Sequence, residues 1–145
     1  MYFVDREKIG QTLLYIEENI KVFDQHQTWS SSIEKKALER IAVAVIEGIL
    51  DVGNAMIDGF IMRDPGSYED IIDILEDEKV VTADLAQHLK RLVRQRKTLV
   101  QEYLLIDHHE VQGCLEDVKG PVVEFCEAVR SYLENELGPV SAFRN

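Results

Sequence analysis

The residues from Ser31 to Phe60, SSIEKKALERIAVAVIEGILDVGNAMIDGF, constrain the fold more than any other segment of the chain. They read as one long helix that opens on a capping box, Ser31 to Glu34, and is apolar nearly all round. Such a helix belongs at the centre of a fold, with other helices laid against it. The flanking sequence supplies those helices. Ile9, Leu13, Ile16, Ile20 and Phe23 form an amphipathic stripe on a helix from about Asp5 to His26. After an Asp64-Pro65-Gly66 turn, Ser67 with Asp70 caps a short helix ending near Asp77. Thr82 caps the next, which runs to Tyr103. Asp107 and Glu110 form a further capping box, and Gly120-Pro121 is expected to bend or split the last helix before it resumes to Leu137. The tail from Gly138 reads as irregular.

Almost nothing alternates with period two, and there is no internal repeat, low-complexity stretch or composition shift. Four long helices with short connections predict an all-α fold, an up-and-down four-helix bundle with an extra short helix, as one domain over residues 1–145. A chain of that length buries roughly 70 % of its unfolded surface without staples. With 46 % apolar residues on so few helices, surface is left for a symmetric partner, so a homodimer is expected.

Charge and cysteine usage narrow the function classes. Sixteen basic against 27 acidic residues give a net charge of −11, which repels polyanions at long range. Five of those sixteen, Lys90, Arg91, Arg94, Arg96 and Lys97, fall within eight positions, so only this focused patch could hold a phosphate backbone; a solvated helix face is the plainer reading of it. Cys114 and Cys126 are too few for a disulfide framework and read as free buried thiols. MYFVDREKIG has no cationic leader with an apolar core, and no later run is long and uncharged enough to span a bilayer, so a cytoplasmic protein without membrane association is expected.

Two polar features interrupt apolar patterns. Positions 85, 89, 92, 96, 99 and 103 share one helix face, and Arg96 stands in its middle; a guanidinium there must meet a carboxylate or line a polar cleft. On the central helix, Arg40, Glu47, Asp51, Asn54 and Asp58 form a polar stripe that is expected to be satisfied inside the fold, with Glu47 or Asp51 pairing with Arg96. A divalent-metal site built from the same carboxylates is the sharper alternative. The four histidines form no chelate, no Cys/His spacing resembles a zinc site, and no glycine pattern resembles a phosphate loop; neither cofactor nor metal is assigned.

RKTLVQEYLLID, Arg96 to Asp107, resembles the signature of the HepT-like proteins, minimal helical toxins of the higher-eukaryote-and-prokaryote nucleotide-binding superfamily. Their motif reads Arg, four residues, His, one residue, Tyr. Glu39 to Ile57 resembles the family's long central helix, and Asp64 to Val93 the approach to its motif, so the likeness covers nearly the whole chain. It implies a homodimer whose two motifs face each other and cleave RNA without metal, partnered by a small nucleotidyltransferase antitoxin that attaches AMP to the motif tyrosine, here Tyr103. By the same resemblance the catalytic positions are Arg96, Gln101 and Tyr103; Lys90, Arg91, Arg94 and Lys97, read from the charge of the patch around them, are the expected RNA contacts. Two positions depart: Gln101 replaces the histidine, and Lys97 follows the arginine where the family has a small polar residue.

An amide cannot titrate. RNA cleavage without metal needs a base for the 2′-hydroxyl and an acid for the leaving oxygen, and loss of one costs about 10²- to 10⁴-fold. Gln101 also lies about 140° around an ideal helix from Arg96, so joining them requires a second subunit or a distorted turn. The expected function is therefore a HepT-like dimer with a basic RNA- or nucleotide-binding cleft and weak or absent ribonuclease activity. The alternatives are an active ribonuclease toxin, or a metal-dependent nucleotide hydrolase using Glu47, Asp51 and Asp58.

Overall fold

The computed structural model describes residues 3–139. Six α-helices follow in order: α1 Arg6–Gln25, α2 Ser32–Gly59, α3 Tyr68–Asp77, α4 Ala83–Arg94, α5 Arg96–Val100 and α6 His108–Leu137, with a 3-10 turn at Tyr103–Leu105 between the last two. No strand occurs among the described residues. The expected all-α bundle with an extra short helix is the observed fold, and α2 is its centre, packed against α1, α3, α5 and α6. The irregular tail expected from Gly138 lies, beyond Pro139, outside the described residues.

Local chemistry sets most element ends where the sequence places them. The Ser31 hydroxyl accepts from the Glu34 N–H while the Glu34 carboxylate accepts from the Ser31 N–H, completing the capping box. Asp5, Ser67 and Thr82 cap α1, α3 and α4 through their side-chain oxygens. At α6 only half of the expected box forms, since Asp107 accepts from the His109 and Glu110 N–H groups and Glu110 turns instead toward Gln95. The α1 stripe Ile9, Leu13, Ile16, Ile20 and Phe23 is wholly buried, and it meets Leu38, Val45, Ile46, Ile49 and Met56 of α2 in one continuous core. Cys114 and Cys126 are free and buried, and burial pushes the Cys126 thiol up to about 12.

Four details refine or differ from the sequence reading. First, α2 ends at Gly59, within one residue of the expected end at Phe60, and the chain turns directly after it through Ile61 at φ 56°, ahead of Asp64-Pro65-Gly66, with Met62 N–H bonded to Ile57 carbonyl. Second, α6 runs unbroken through Gly120-Pro121. Proline removes one backbone bond and costs about 3 kcal/mol, but Val118, Val122, Phe125 and Cys126 are fully buried on both sides of it, and that stripe holds the helix together. Third, the stripe of polar residues on α2 is not internal: Arg40, Asp51, Asn54 and Asp58 are exposed and Glu47 half-buried, and no polar residue among those described is buried. Neighbouring helices leave that face of α2 open, and leaving carboxylates in water avoids their desolvation cost. Fourth, the basic helix breaks at Gln95, so that α4 and the short α5 are separate elements.

Candidate nucleic-acid interface

The break at Gln95 builds the site. Its N–H bonds to the Leu92 carbonyl, tightening the turn, and α5 then restarts against α2. Leu85, Leu89, Leu92 and Leu99 keep the buried stripe across the break, while Arg96 lies at the edge of the core rather than within it. Arg96 Nε donates to Glu47 Oε1 at 2.5 Å, and its guanidinium carbon stands 4.3 Å from the centre of the Tyr68 ring at the start of α3. Of the two acids expected to meet Arg96, it is Glu47; the exposed Asp51 takes no part. The Glu47 hydrogen bond raises the pKa of Arg96 further above its ordinary value. Among the described residues only the Nε edge is engaged, which leaves both terminal nitrogens for a ligand.

At the other end of α5 the helix unwinds. Both Gln101 and Glu102 N–H groups bond to the Lys97 carbonyl, at 2.9 and 3.0 Å, and the chain passes into the Tyr103–Leu105 turn. This distorted turn brings Gln101 to the cleft that Arg96 lines, within one chain. The cleft encloses about 430 Å³ between α3, the end of α4 and α5, and is lined by Tyr68, Glu69, Arg94, Arg96, Lys97 and Gln101 among others. Tyr103 does not line it. Because α5 stops at Val100, the tyrosine leaves the buried stripe expected for it and is 64 % exposed, next to Leu104 and Leu105, which are more exposed still.

The other basic residues are largely neutralised. Lys90 pairs with Asp73 at 2.8 Å, Arg91 with Asp117 at 2.8 Å and Arg94 with Glu69 at 2.9 Å. Lys97 is exposed and, among the described residues, has no carboxylate within ion-pairing distance. The cleft therefore offers two available cationic groups, the guanidinium fork of Arg96 and the ammonium of Lys97. Arg91 and Arg94 line an adjoining depression with Gln95, Thr98 and Glu110, and Lys90 lies outside both. Sequence reasoning had no signal for Tyr68, whose place beside Arg96 comes from the packing of α3. The carboxylates Glu47, Asp51 and Asp58 do not converge, and no group of three or more potential metal ligands occurs among the described residues, so the metal-site alternative lacks its ligand cluster. His108 is also drawn away from the motif, with its Nε2 2.7 Å from Glu39 Oε2.

Fold and cleft together define an all-α protein with a cationic cleft where one helix is broken and restarted. The family model for "Ribonuclease HepT-like" matches residues 9–129, and this chain belongs to the HepT-like family. It is similar to a Bacillus subtilis (strain 168) protein named "Putative RNase YutE", at 55 % identity over 144 residues, spanning 99 % of this chain and 100 % of that protein. The structure of YutE from Bacillus subtilis, described as a cytosolic protein of unknown function, superposes with a TM-score of 0.95 over 99 % of this chain and 100 % of that one. The fold also matches a tri-AMPylated Shewanella oneidensis HEPN toxin in complex with an MNT antitoxin, at a TM-score of 0.76 and 18 % identity, over 85 % of this chain and 96 % of that one. No helix among the described residues is long and apolar enough to cross a membrane.

Proposed function

We propose that this HepT-like chain is a homodimer that binds RNA in the Arg96 cleft and cleaves it weakly or not at all. The observation that carries this reading is the composition of the cleft: a guanidinium with two open nitrogens and an unpaired ammonium suit a phosphodiester, while Gln101 stands where proton transfer would need an imidazole. Gln101 donates and accepts hydrogen bonds but carries no titrating proton. Arg96 and Gln101 hold the catalytic positions by resemblance, and Lys97, with Arg94 and Arg91 behind it, gives the RNA path. Ion pairing of Lys90, Arg91 and Arg94 narrows the attraction to a few phosphates, so binding is weak at physiological salt and falls as salt rises with the shallow slope of a few phosphate contacts.

Self-association follows from the exposed apolar residues that close the motif. Val100, Leu104 and Leu105 are 41, 88 and 78 % exposed within six positions, a patch that a second copy would cover, leaving Tyr103 at its edge. The exposed Tyr103 hydroxyl is also open to a modifying enzyme, which favours the reading of Tyr103 as an AMP acceptor for a nucleotidyltransferase antitoxin. The reading as a whole is tested by fluorescence anisotropy of a labelled single-stranded RNA at low salt in chelator. Binding that weakens on Arg96→Ala and Lys97→Ala, without shortening of the RNA, is expected. Absence of binding, or a monomer by sedimentation at micromolar concentration, contradicts it.

A further inference from the structure

Tyr68 belongs to no motif in the chain, yet it is the residue that shapes the cleft beside Arg96. The guanidinium lies over its ring at 4.3 Å, while the residue remains 51 % exposed and lines the cleft, so the ring is not closed off by its contact with Arg96. Its backbone is anchored: Ser67 caps α3 through the Asp70 N–H, and Asp70 is clamped by Arg63 at 2.8 and 2.9 Å. A ring whose backbone is anchored at a helix start and whose one face is covered by a guanidinium loses little freedom when a second flat group is laid on its other face. Next to it stand the two open cationic groups, and Gln101 supplies an amide at the rim.

We infer that Tyr68 is a base-stacking platform, so that the cleft takes an unpaired nucleotide with its base on the free face of the Tyr68 ring and its phosphate on Arg96 and Lys97. The inference rests on the proposed RNA-binding reading and adds the ligand class: single-stranded RNA with at least one unstacked base, rather than a duplex, whose bases are not available to a ring. Stacking is sequence-tolerant, because every base has a flat face. Glu69, which also lines the cleft, is neutralised by its pairing with Arg94.

The test is a cycle of two deletions, the ring and the base. Anisotropy in chelator compares a labelled single-stranded RNA pentamer with a ribose-phosphate pentamer lacking bases, for the wild type, Tyr68→Leu and Tyr68→Phe. Tyr68→Leu is expected to weaken the base-bearing pentamer about tenfold more than the abasic one, whose loss reflects only the support that the ring gives Arg96, whereas Tyr68→Phe stays within about twofold for both. Equal weakening of both ligands by Tyr68→Leu means that the ring only props Arg96, and overturns the inference. So does equal affinity of the wild type for the two pentamers, a result that needs no variant to fold. If the wild type distinguishes neither ligand from buffer, the RNA reading itself falls; if it binds both alike, that reading stands and only the stacking role is lost.

Discussion

Arg96 Nε donates to Glu47 Oε1 at 2.5 Å, tying the short helix α5 to the central helix α2 across 49 residues of sequence. The bond fixes the edge of the guanidinium that points into the protein, and Tyr68 fixes its plane. What remains for a ligand is the fork of two terminal nitrogens. Glu47 thus orients the arginine, while the positive charge that reaches the cleft is supplied jointly by Arg96 and Lys97.

The partial exposure of this pair sets its contribution to stability. The side chains of Arg96 and Glu47 are 20 and 39 % exposed, which places the pair near the modest values of surface ion pairs. Arg96→Ala loses both the ion pair and the Tyr68 contact and is expected to cost about 1–2 kcal/mol. Glu47→Ala is expected to cost about 1 kcal/mol or less, and Asp51→Ala to stay within about 0.5 kcal/mol because Asp51 is exposed. Urea titrations of the three variants give the order directly; a loss above about 3 kcal/mol for either partner would indicate a fully buried pair instead.

Ile61 turns the chain after α2 at φ 56° with 76 % of its surface exposed. A β-branched residue is poorly suited to left-handed backbone, at a cost of about 1–2 kcal/mol, and this one gains little by packing. Ile61→Gly is therefore expected to stabilise the protein by about 1 kcal/mol, less any entropy gained by the unfolded chain. Thermal melts check it, and a lower melting temperature would mean that the side chain is held by something other than this turn.

Acid should loosen two connections before the rest. Glu34 is held down at about 2 by hydrogen bonds from His26, the Ser31 backbone and Thr28, and Asp70 at about 2 by Arg63 and the Gly66 N–H. Both pKa values are depressed in the folded state, so the stability they contribute is present above the ordinary carboxylate pKa and is lost as pH falls from about 4.5 toward 2. Glu34→Gln and Asp70→Asn should each lower stability between pH 6 and 8, where the charged carboxylate contributes in full, and flatten the fall over the acid window, so that variant and wild type converge near pH 2. An unchanged acid limb in both variants would assign it to other carboxylates, such as Glu17 beside Arg130.

The elements that follow local rules were legible in the sequence. The α1 stripe, the Ser31–Glu34 box and the Ser67 and Thr82 caps depend on residues a few positions apart, and each forms as its spacing dictates. Three features that depend on tertiary packing were not. No glycine or proline marks the break at Gln95, which is where α5 docks on α2. Pro121 does carry a breaking signal, but the buried residues around it override the signal. The polar stripe of α2 has helical spacing, yet spacing alone does not say whether a face meets another helix or water. At the site, the need for a partner to Arg96 was readable from its place on an apolar stripe, and Glu47 answers it. Tyr68 was hidden because it reaches the cleft from a different helix. The local unwinding at Gln101 was visible only as a requirement, since an ideal helix would have carried that residue away from Arg96.

The central claim is that the cleft has kept its phosphate-binding cations and lost its proton-transfer group. A fluorescent single-stranded RNA cleavage assay in chelator, run on the wild type, Gln101→His and the Arg96→Ala/Gln101→His double variant, tests it most directly. The account predicts little cleavage by the wild type, a gain of about tenfold or more for Gln101→His, and loss of that gain when Arg96 is removed. Robust cleavage by the wild type in chelator, abolished by Arg96→Ala alone, would contradict the claim and make this chain an active ribonuclease.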